Sequence, residues 1–238
     1  MKKIILTILF CLIVFASYFV LSNLTFQSDS KNRIKAIDIS NSYKGELNWN
    51  ALRENKGFVI LRAVREVDTC ETVGVKKFAS LIDPNFKKNW NSLKQHQIVK
   101  GAYHFFAKNI PAEEQFKTFS EAVKLEKGDL PPILDVEDRN CDMDEVLKWL
   151  ELAKEYYKMT PILYSDYFFY KVYLKKKNNI YPIWLYLNES SYMEPSFNDP
   201  NCIFWQYKQD MKISNFQEKV DFNDFLGDSS EFYKLLKK

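Results

Sequence analysis

Short runs of apolar, β-branched and aromatic residues recur along the chain, separated by segments with a different hydrophobic spacing. Each run has five to nine residues, which is the length of a buried strand. We predict eight strands, at 34–40, 58–63, 98–106, 131–137, 161–165, 181–187, 202–207 and 219–223.

The segments between the early strands carry apolar residues at the 3.6-residue period of an amphipathic helix. Phe86, Trp90 and Leu93 follow this period. Pro111 and Asp166 stand where two further helices can begin. Helices are predicted around 47–52 and 86–93, and over 111–124, 144–157 and 167–175.

The order of these elements is β-α repeated about five times, followed by strands with short connections. Apolar strands that alternate with helices indicate a parallel sheet covered on both faces. Residues 34–238 are therefore interpreted as one α/β domain, a small closed barrel whose last helices are reduced. An open doubly wound sheet is the alternative, but no G-x-G-x-x-G motif for a dinucleotide follows the first strand.

The N-terminal segment differs from the rest of the chain. Two lysines precede an uncharged apolar stretch at residues 4–21, which is the pattern of an export signal. Residues 1–22 are interpreted as a signal peptide or as a membrane anchor, because 18 apolar residues are nearly enough to span a bilayer. Residues 23–33 are polar and are interpreted as a linker. In either case we expect a protein that is secreted, periplasmic or anchored facing outside the cytoplasm.

The composition suits a globular protein, with 46% hydrophobic and 27% charged residues. The formal net charge is +3, and it falls to +1 without residues 1–22, which hold two lysines and no acid. No cluster of Lys and Arg is interleaved with aromatic residues, so nucleic-acid binding is not expected.

The four cysteines do not have the spacing of a zinc site. No metal or other cofactor is expected. Cys11 lies in the apolar segment, which leaves Cys70, Cys141 and Cys202. A disulfide between Cys70 and Cys141 is predicted, with three free thiols as the alternative.

Carboxylates stand in three of the predicted strands. Asp38 lies near the end of the first, Asp135 and Glu137 end the fourth, and Asp221 lies in the eighth. Chemistry in a β/α barrel is at the C-terminal ends of the strands, and a closed barrel places the eighth strand beside the first, so the four acids converge. Asp135 and Glu137 point to the same side, about 6.6 Å apart. Their repulsion predicts that Glu137 holds a proton near neutrality while Asp135 stays ionised.

Polar and aromatic side chains fall at the other strand ends. Acids ringed by tyrosine and tryptophan are typical of a carbohydrate groove, in which aromatic faces stack on sugar rings. Each aromatic residue alone is more often part of a core, and a lone histidine is more often a satisfied core residue than a base. The candidate substrate contacts are Tyr103, His104, Tyr164, Trp184, Tyr186 and Gln206.

Taken in order, these stretches resemble glycoside hydrolase family 25, the Chalaropsis-type lysozymes. The segment AIDISNSYKGELNW at 36–49 is similar to the family's opening G-I-D-V-S-x-Y-Q-G-x-I-D-W. The stretches GAYHFF, PPILDVE, PILYS, IWLY, FWQY and VDFNDF follow in the family's order, over about residues 34–226. The resemblance implies an irregular TIM-like (β/α)5β3 barrel and muramidase activity on the β-1,4 bond between N-acetylmuramic acid and N-acetylglucosamine.

The resemblance also implies roles for the acids. Glu137 would be the general acid, and Asp135 would orient or stabilise the reacting 2-acetamido group. Asp38 and Asp221 would complete the carboxylate ring. The positions that look like the family's sugar contacts are Tyr103, Tyr164 and Trp184.

The chain departs from the family pattern after the second strand. The family's K-A-T-E-G appears here as RAVRE at 62–66, so the usual acid is Arg65 or is displaced to Glu66. Lys44 stands where Gln is usual, and Asn48 stands where Asp is usual. These departures change the charge of the groove and bear on which glycan it tolerates.

Two other functions are open at this point. A peptidoglycan-binding module without turnover would keep the groove, but it has no need of the full acid set. A chitinase-like glycosidase is disfavoured because the fuller D-x-x-D-x-D-x-E pattern is absent before Glu137. The expected partners are peptidoglycan glycan strands, bound by a monomer that residues 4–21 would tether to a membrane if they are retained.

Overall fold

The computed structural model describes residues 33–40, 49–54, 57–72, 75–177, 180–191, 199–212 and 219–238. The predicted export segment, nearly all of the predicted linker, and Lys44 and Asn48 lie outside these ranges. Within them, none of the helices is long and apolar enough to cross a membrane.

Eight strands coincide with the predicted runs, and one further strand was not predicted. Their bounds are β1 Lys35–Ile39, β2 Phe58–Thr72, β3 Val75–Ile82, β4 Val99–Phe105, β5 Ile133–Asp135, β6 Ile162–Asp166, β7 Ile183–Tyr186, β8 Cys202–Lys212 and β9 Lys219–Phe225. The unpredicted strand is β3, which forms an antiparallel hairpin with the long β2.

The helices cover the outside of the sheet. They are α1 Trp49–Glu54, α2 Phe86–Gln95, α3 Ala112–Ala122, α4 Met143–Tyr157, α5 Tyr167–Phe169 and α6 Ser229–Leu235. The helix at α5 continues as a π-helix over Tyr170–Leu174, and a 3-10 turn spans Glu189–Ser191. The C-terminal α6 was not predicted, although Asp228 and Glu231 form the capping box at its start.

The strands close into a barrel, which rejects the open sheet. Parallel pairs run from β1 through β2, β4, β5, β6 and β7 to β8. Strand β9 is antiparallel to both β8 and β1 and completes the ring. The predicted (β/α)5β3 architecture is confirmed.

The interior of the barrel is apolar at one end and acidic at the other. Phe58, Phe204 and Phe225 fill the end at which β2 begins, and Phe232 of α6 lies 5.0 Å from Phe58, ring centre to ring centre. Burial of such large side chains is the main favourable term in folding. Because side chains alternate along a strand, the same inward face that holds Phe58 and Ile60 holds a charged side chain, Arg62, at the far end.

Candidate active site

The predicted acids converge at the C-terminal end of the parallel strands. Asp38 of β1 and Asp221 of β9 are direct cross-strand partners. Asp135 ends β5, and Glu137 follows two residues later. All four line one cleft of about 130 Å³. Strand β9 runs antiparallel, so Asp221 reaches this rim from near the start of its strand and not from its end.

Asp38 is held by a network of buried amides. Its Oδ2 atom accepts hydrogen bonds of 2.8 Å from Gln206 Nε2 and 2.8 Å from Asn223 Nδ2. Asn223 Oδ1 accepts from Trp184 Nε1 at 2.8 Å, and Gln206 Oε1 accepts from Tyr164 Oη at 2.6 Å. Each amide is thus oriented by an aromatic donor and presents its NH2 group to the acid. Burial and the nearby charge of Asp221 raise the pKa of Asp38 to about 7, although the two amide hydrogen bonds oppose the rise.

Asp135 is the more buried of the two acids at the end of β5. It is 6% exposed, and its Oδ1 atom has no hydrogen-bond partner among the described residues. Burial, followed by the charges of Glu137 and Asp38, raises its pKa well above the usual range. The expectation that Asp135 stays ionised while Glu137 alone holds a proton is therefore corrected. Both carboxyls have raised pKa values, and the buried one is strongly affected.

Glu137 lies at the open mouth of the cleft, with an exposed side chain. The segment that carries it is fixed, because Val136 N donates to Tyr164 O at 3.0 Å and Ser165 Oγ donates to Val136 O at 2.7 Å. Desolvation by the surrounding protein, together with the charges of Asp166 and Asp221, raises the pKa of Glu137. This acid combines access to a ligand with a tendency to stay protonated, which are the two requirements of a proton donor.

Asp166 is an acid of this region that the sequence analysis assigned only to helix capping. That assignment is confirmed, since its Oδ1 atom accepts from Phe168 N at 2.9 Å and from Phe169 N at 3.0 Å. Its second role is electrostatic, because its charge raises the pKa of Glu137. Strand alternation gives the signal that was missed: Asp166 lies two residues after the inward-facing Tyr164.

Asp221 is tied to the residues around it through both oxygen atoms. Oδ2 accepts from Gln206 Nε2 at 3.2 Å, and Oδ1 accepts from the backbone N of Asp210 at 2.8 Å. Burial raises its pKa. Gln206 thus bridges Asp38 and Asp221, which fixes the spacing of two carboxyls that would otherwise repel each other.

Three of the predicted aromatic contacts form the wall and floor of the cleft. Tyr103, Tyr164 and Trp184 line it together with Gln206, and the rings of Tyr164 and Trp184 are 4.5 Å apart. All three aromatic residues are buried, with little of each ring open to solvent. Phe105 and Gln209 also line the cleft and were not predicted.

His104 and Tyr186 do not line the cleft. His104 is fully buried on the outer face of β4, where its Nε2 atom is 2.8 Å from Gln115 Oε1 and its ring stacks on Trp149. Burial lowers its pKa to about 4. Its assignment as a substrate contact is corrected to a structural role, because neighbours on a strand face opposite sides. Tyr186 is half-buried and packs against the interior aromatic residues, and its contact with sugar stays a prediction.

Arg62 brings a positive charge into the acidic cleft. Its Nε atom lies 3.3 Å from Asp83 Oδ2, and Asp83 is buried between the end of β3 and the start of α2. Arg65 is half-buried further along β2, and the side chain of Glu66 is not among those that the structure describes.

The thiols do not follow the predicted pairing. Cys141 is a free thiol, so the Cys70–Cys141 disulfide is not formed, and the side chain of Cys70 lies outside those described. Cys202 is buried at the start of β8, where its Sγ atom is 3.3 Å from Phe204 O. Across the described residues no group of three or more His, Cys, Asp and Glu side chains is arranged to hold a metal ion.

Comparisons with known proteins agree with this geometry. The family model of Glycosyl hydrolases family 25 matches residues 37–216. The uncharacterized protein YegX of Escherichia coli O157:H7 is 32% identical over 157 residues, which cover 63% of this chain and 57% of that protein. This match therefore spans less than two thirds of the length of the curated relative.

Solved structures share the whole barrel. A family 25 glycosyl hydrolase from Bacillus anthracis superposes with a TM-score of 0.70 at 25% identity, covering 87% of this chain and 95% of that one. A lysozyme from Streptomyces coelicolor gives a TM-score of 0.69 at 20% identity, covering 85% of this chain and 96% of that one. With a family model that spans most of its sequence and a barrel of the same fold, the chain belongs to glycoside hydrolase family 25.

Proposed function

We propose that this protein is a muramidase, which hydrolyses the β-1,4 bond between N-acetylmuramic acid and N-acetylglucosamine in peptidoglycan. The proposal rests on the observation that one cleft holds carboxyls packed into its interior and a carboxyl exposed at its mouth. Asp38, Asp135 and Asp221 are packed into its interior, whereas Glu137 stands at its exposed mouth. Family membership and the resemblance of the motifs to the Chalaropsis-type lysozymes support the same reaction.

Glu137 is the proposed general acid. The alkoxide that leaves the sugar needs a proton as the glycosidic C–O bond breaks, and a raised pKa lets Glu137 keep its proton to a higher pH than an ordinary glutamate. Once ionised, Glu137 takes a proton from the water molecule that adds to the anomeric carbon. The enzyme thereby returns to its starting protonation state.

Asp135 is the proposed partner of the 2-acetamido group. Its Oδ1 atom, which has no hydrogen-bond partner among the described residues, is suited to accept the acetamido N–H. The acetamido carbonyl oxygen would then attack the anomeric carbon, and the cyclic intermediate would carry a positive charge that ionised Asp135 stabilises. As positive charge develops on the intermediate, Asp135 can release its proton to the neighbouring Asp38, whose own pKa is raised to about 7, and take it back when water opens the ring.

Digestion of purified peptidoglycan by the full-length protein tests the proposal. The expected products carry reducing N-acetylmuramic acid ends, and Glu137→Gln protein should release none. Reducing N-acetylglucosamine ends would show a different glycosidase. Binding of peptidoglycan without release of any reducing end would show the binding module instead. Cleavage of chitin oligomers with release of chitobiose would identify a chitinase.

The location of the protein is part of the proposal. Residues 1–22 would export the chain or tether it, which places the barrel domain, residues 34–238, on the side of the membrane where peptidoglycan lies. We propose that the barrel acts there as a monomer. Fractionation of cells followed by N-terminal sequencing of the protein distinguishes a cleaved signal from a retained anchor.

A further inference from the structure

The wall of the cleft formed by β2 carries positive charge opposite the acids. Of the described residues that line the cleft, Arg62 is the sole cation, against four carboxyls. Its side chain is 18% exposed, and its Nε atom is anchored by the buried carboxylate of Asp83. Asp83 is itself fixed, since its Oδ1 atom accepts from Asn85 N at 3.0 Å. Nε is only one of the nitrogens of the guanidinium fork, so a fixed guanidinium is presented to the cleft.

Arg65 is half-buried on the same strand, three residues beyond Arg62 and outside the lining of the cleft. The pairing of β2 with β4 shifts by one residue, so that Arg62 is opposite Tyr103 and Val64 is opposite His104. Val64 and His104 are both fully buried on the outer face. Strand alternation then returns Arg65 to the inner face of β2, the face that carries Arg62. In the family pattern that the sequence resembles, an acid stands at this position.

We propose that Arg62 and Arg65 form an anion subsite that binds the lactyl carboxylate of an N-acetylmuramic acid residue. This inference rests on the proposed muramidase function and specifies its substrate as glycan strands whose lactyl carboxylates are free of stem peptides. A pair of guanidinium groups matches a carboxylate in shape and charge, and arginine stays protonated at every relevant pH.

The size of the cleft favours the lactyl group over a more distant source of carboxylate. Stem peptides also end in carboxylates, and the same arginines would attract them. However, the cleft holds about 130 Å³, and Arg62 is part of its wall. A carboxylate on the short lactyl ether of the sugar lies near that wall when the ring is bound, whereas the carboxylates of a stem peptide lie several residues away.

Three glycan substrates separate these sources. The first consists of strands stripped of stem peptides by an amidase, so that every lactyl carboxylate is free. The second is the same material with its carboxylates converted to methylamides, and the third retains its stem peptides. We expect the full-length protein to cleave the first with a kcat/KM at least about tenfold above that of the second, mainly through KM, since a charge-assisted hydrogen bond is lost. The third should resemble the second, because its lactyl groups are amides.

Variants test whether the arginines cause the preference for free lactyl carboxylates. In Arg65→Gln, kcat/KM for free strands should exceed that for methylamidated strands by about twofold or less. Arg65→Lys should keep part of the wild-type preference for free strands. Arg53→Gln is the matched control, since Arg53 is an exposed arginine on α1 and its loss should leave the ratio unchanged. Arg62→Gln would leave Asp83 unpaired and destabilise the protein, so Arg62→Lys is the variant for that position, with thermal unfolding as a check on folding.

The outcomes are distinct. Equal cleavage of free and methylamidated strands, or an unchanged preference in Arg65→Gln, overturns the subsite and leaves the muramidase proposal standing. A preference for peptide-bearing strands that Arg65→Gln abolishes overturns the lactyl assignment in favour of peptide carboxylates. If the wild-type protein cleaves none of the three, the proposed function and this inference are both rejected.

Discussion

The chemistry of the site depends on where each carboxyl lies between the interior and the mouth of the cleft. Asp135 and Glu137 are two residues apart and face the same way, yet one is 6% exposed and the other is open to solvent. The buried carboxyl cannot reach a glycosidic oxygen outside the cleft, and the exposed one can. We therefore assign proton donation to Glu137 and stabilisation of positive charge to Asp135.

Replacement of Glu137 with Gln tests the first assignment. The amide preserves shape but supplies no transferable proton, so we expect kcat to fall at least about a hundredfold. Because the side chain is exposed, stability should be nearly unchanged. Reducing ends released from peptidoglycan give the rate. Glu121→Gln, which changes an exposed glutamate on α3, is the control and should be as active as the wild type. A rate near the wild-type value in Glu137→Gln would remove Glu137 from the mechanism.

Replacement of Asp135 with Asn tests the second assignment. An amide cannot carry the negative charge that stabilises the cyclic intermediate, so we again expect a loss of about a hundredfold in kcat. A leaving group that needs little protonation, such as a nitrophenyl glycoside of an N-acetylated sugar, separates the two variants. It should restore much of the activity of Glu137→Gln and little of that of Asp135→Asn. Equal rescue of both would show that the roles are not distinct.

At the scale of elements, the residue that caps α5 also affects the acid at the mouth of the cleft. Asp166 caps this helix and adds to the negative charge that raises the pKa of Glu137. Asn caps a helix about as well as Asp but carries no charge. Asp166→Asn should therefore keep stability within about 0.5 kcal/mol while lowering the pKa of Glu137.

The pH dependence of the rate reports that change. Because the proposed proton donor must be protonated, the rate should fall as pH rises through the pKa of Glu137, and a lower pKa moves this decline to lower pH. The profile of kcat/KM against pH for wild type and Asp166→Asn measures the shift. A decline that stays at the same pH in both proteins would show that Asp166 does not act on the proton donor.

Strand β9 brings an acid to the rim that is distant in sequence. Asp221→Asn keeps the size of the side chain and one acceptor, for Asp210 N, but it places an NH2 group where an oxygen accepted from Gln206 Nε2 and removes a charge from the cleft. We expect a loss of activity of at least about tenfold with the fold intact, as judged by circular dichroism. Asp210→Asn is a close control, because Asn tolerates its left-handed backbone with φ of 57° and the N–H donor is kept. Full activity of Asp221→Asn would restrict the site to the acids of β1 and β5.

Some strands and helices could be predicted from patterns in the sequence, and others could not. Eight strands could be predicted because each is an apolar run buried on both faces. Strand β3, with the sequence VKKFASLI, was missed because its two lysines break the apolar pattern. The start of α6 was visible in the D-x-x-E spacing of its capping box but was not used. His104 could have been excluded from the cleft beforehand, because its neighbour Tyr103 already faces inward.

At the scale of the whole molecule, closure of the barrel is what makes the site. Asp38 and Asp221 are cross-strand partners although 183 positions separate them, and Gln206 on β8 connects them. The sequence indicated this convergence from strand order alone. It could not indicate which carboxyl is buried, because burial depends on side chains from several strands, nor that the closing strand is antiparallel.

Asp38 and His104 make the stability of the barrel depend on pH in opposite directions. A carboxyl whose pKa is raised in the folded state stabilises that state less as pH rises from its ordinary value, so the Asp38 contribution falls between about pH 4 and 7. His104 acts in the opposite sense. Its pKa is lowered to about 4, so the stability that the neutral ring contributes is present above its ordinary pKa near 6.5 and is lost as pH falls toward 4.

Variants at these two positions should separate the dependences. Asp135, Glu137 and Asp221 share the direction of Asp38, and together these four acids outweigh His104, so we expect the wild-type free energy of unfolding to fall as pH rises from 4.5 to 7.5. His104→Phe, which keeps a flat ring against Trp149, should make that fall steeper, because the opposing contribution is gone. Asp38→Asn should make it shallower, by up to about 3 kcal/mol over the range for an isolated group and less for one that shares its proton with Asp221. Urea unfolding at several pH values measures all three slopes. Identical slopes in wild type and Asp38→Asn would mean that the buried acid is ionised at every pH tested, and the proton relay from Asp135 to Asp38 would then fail with it.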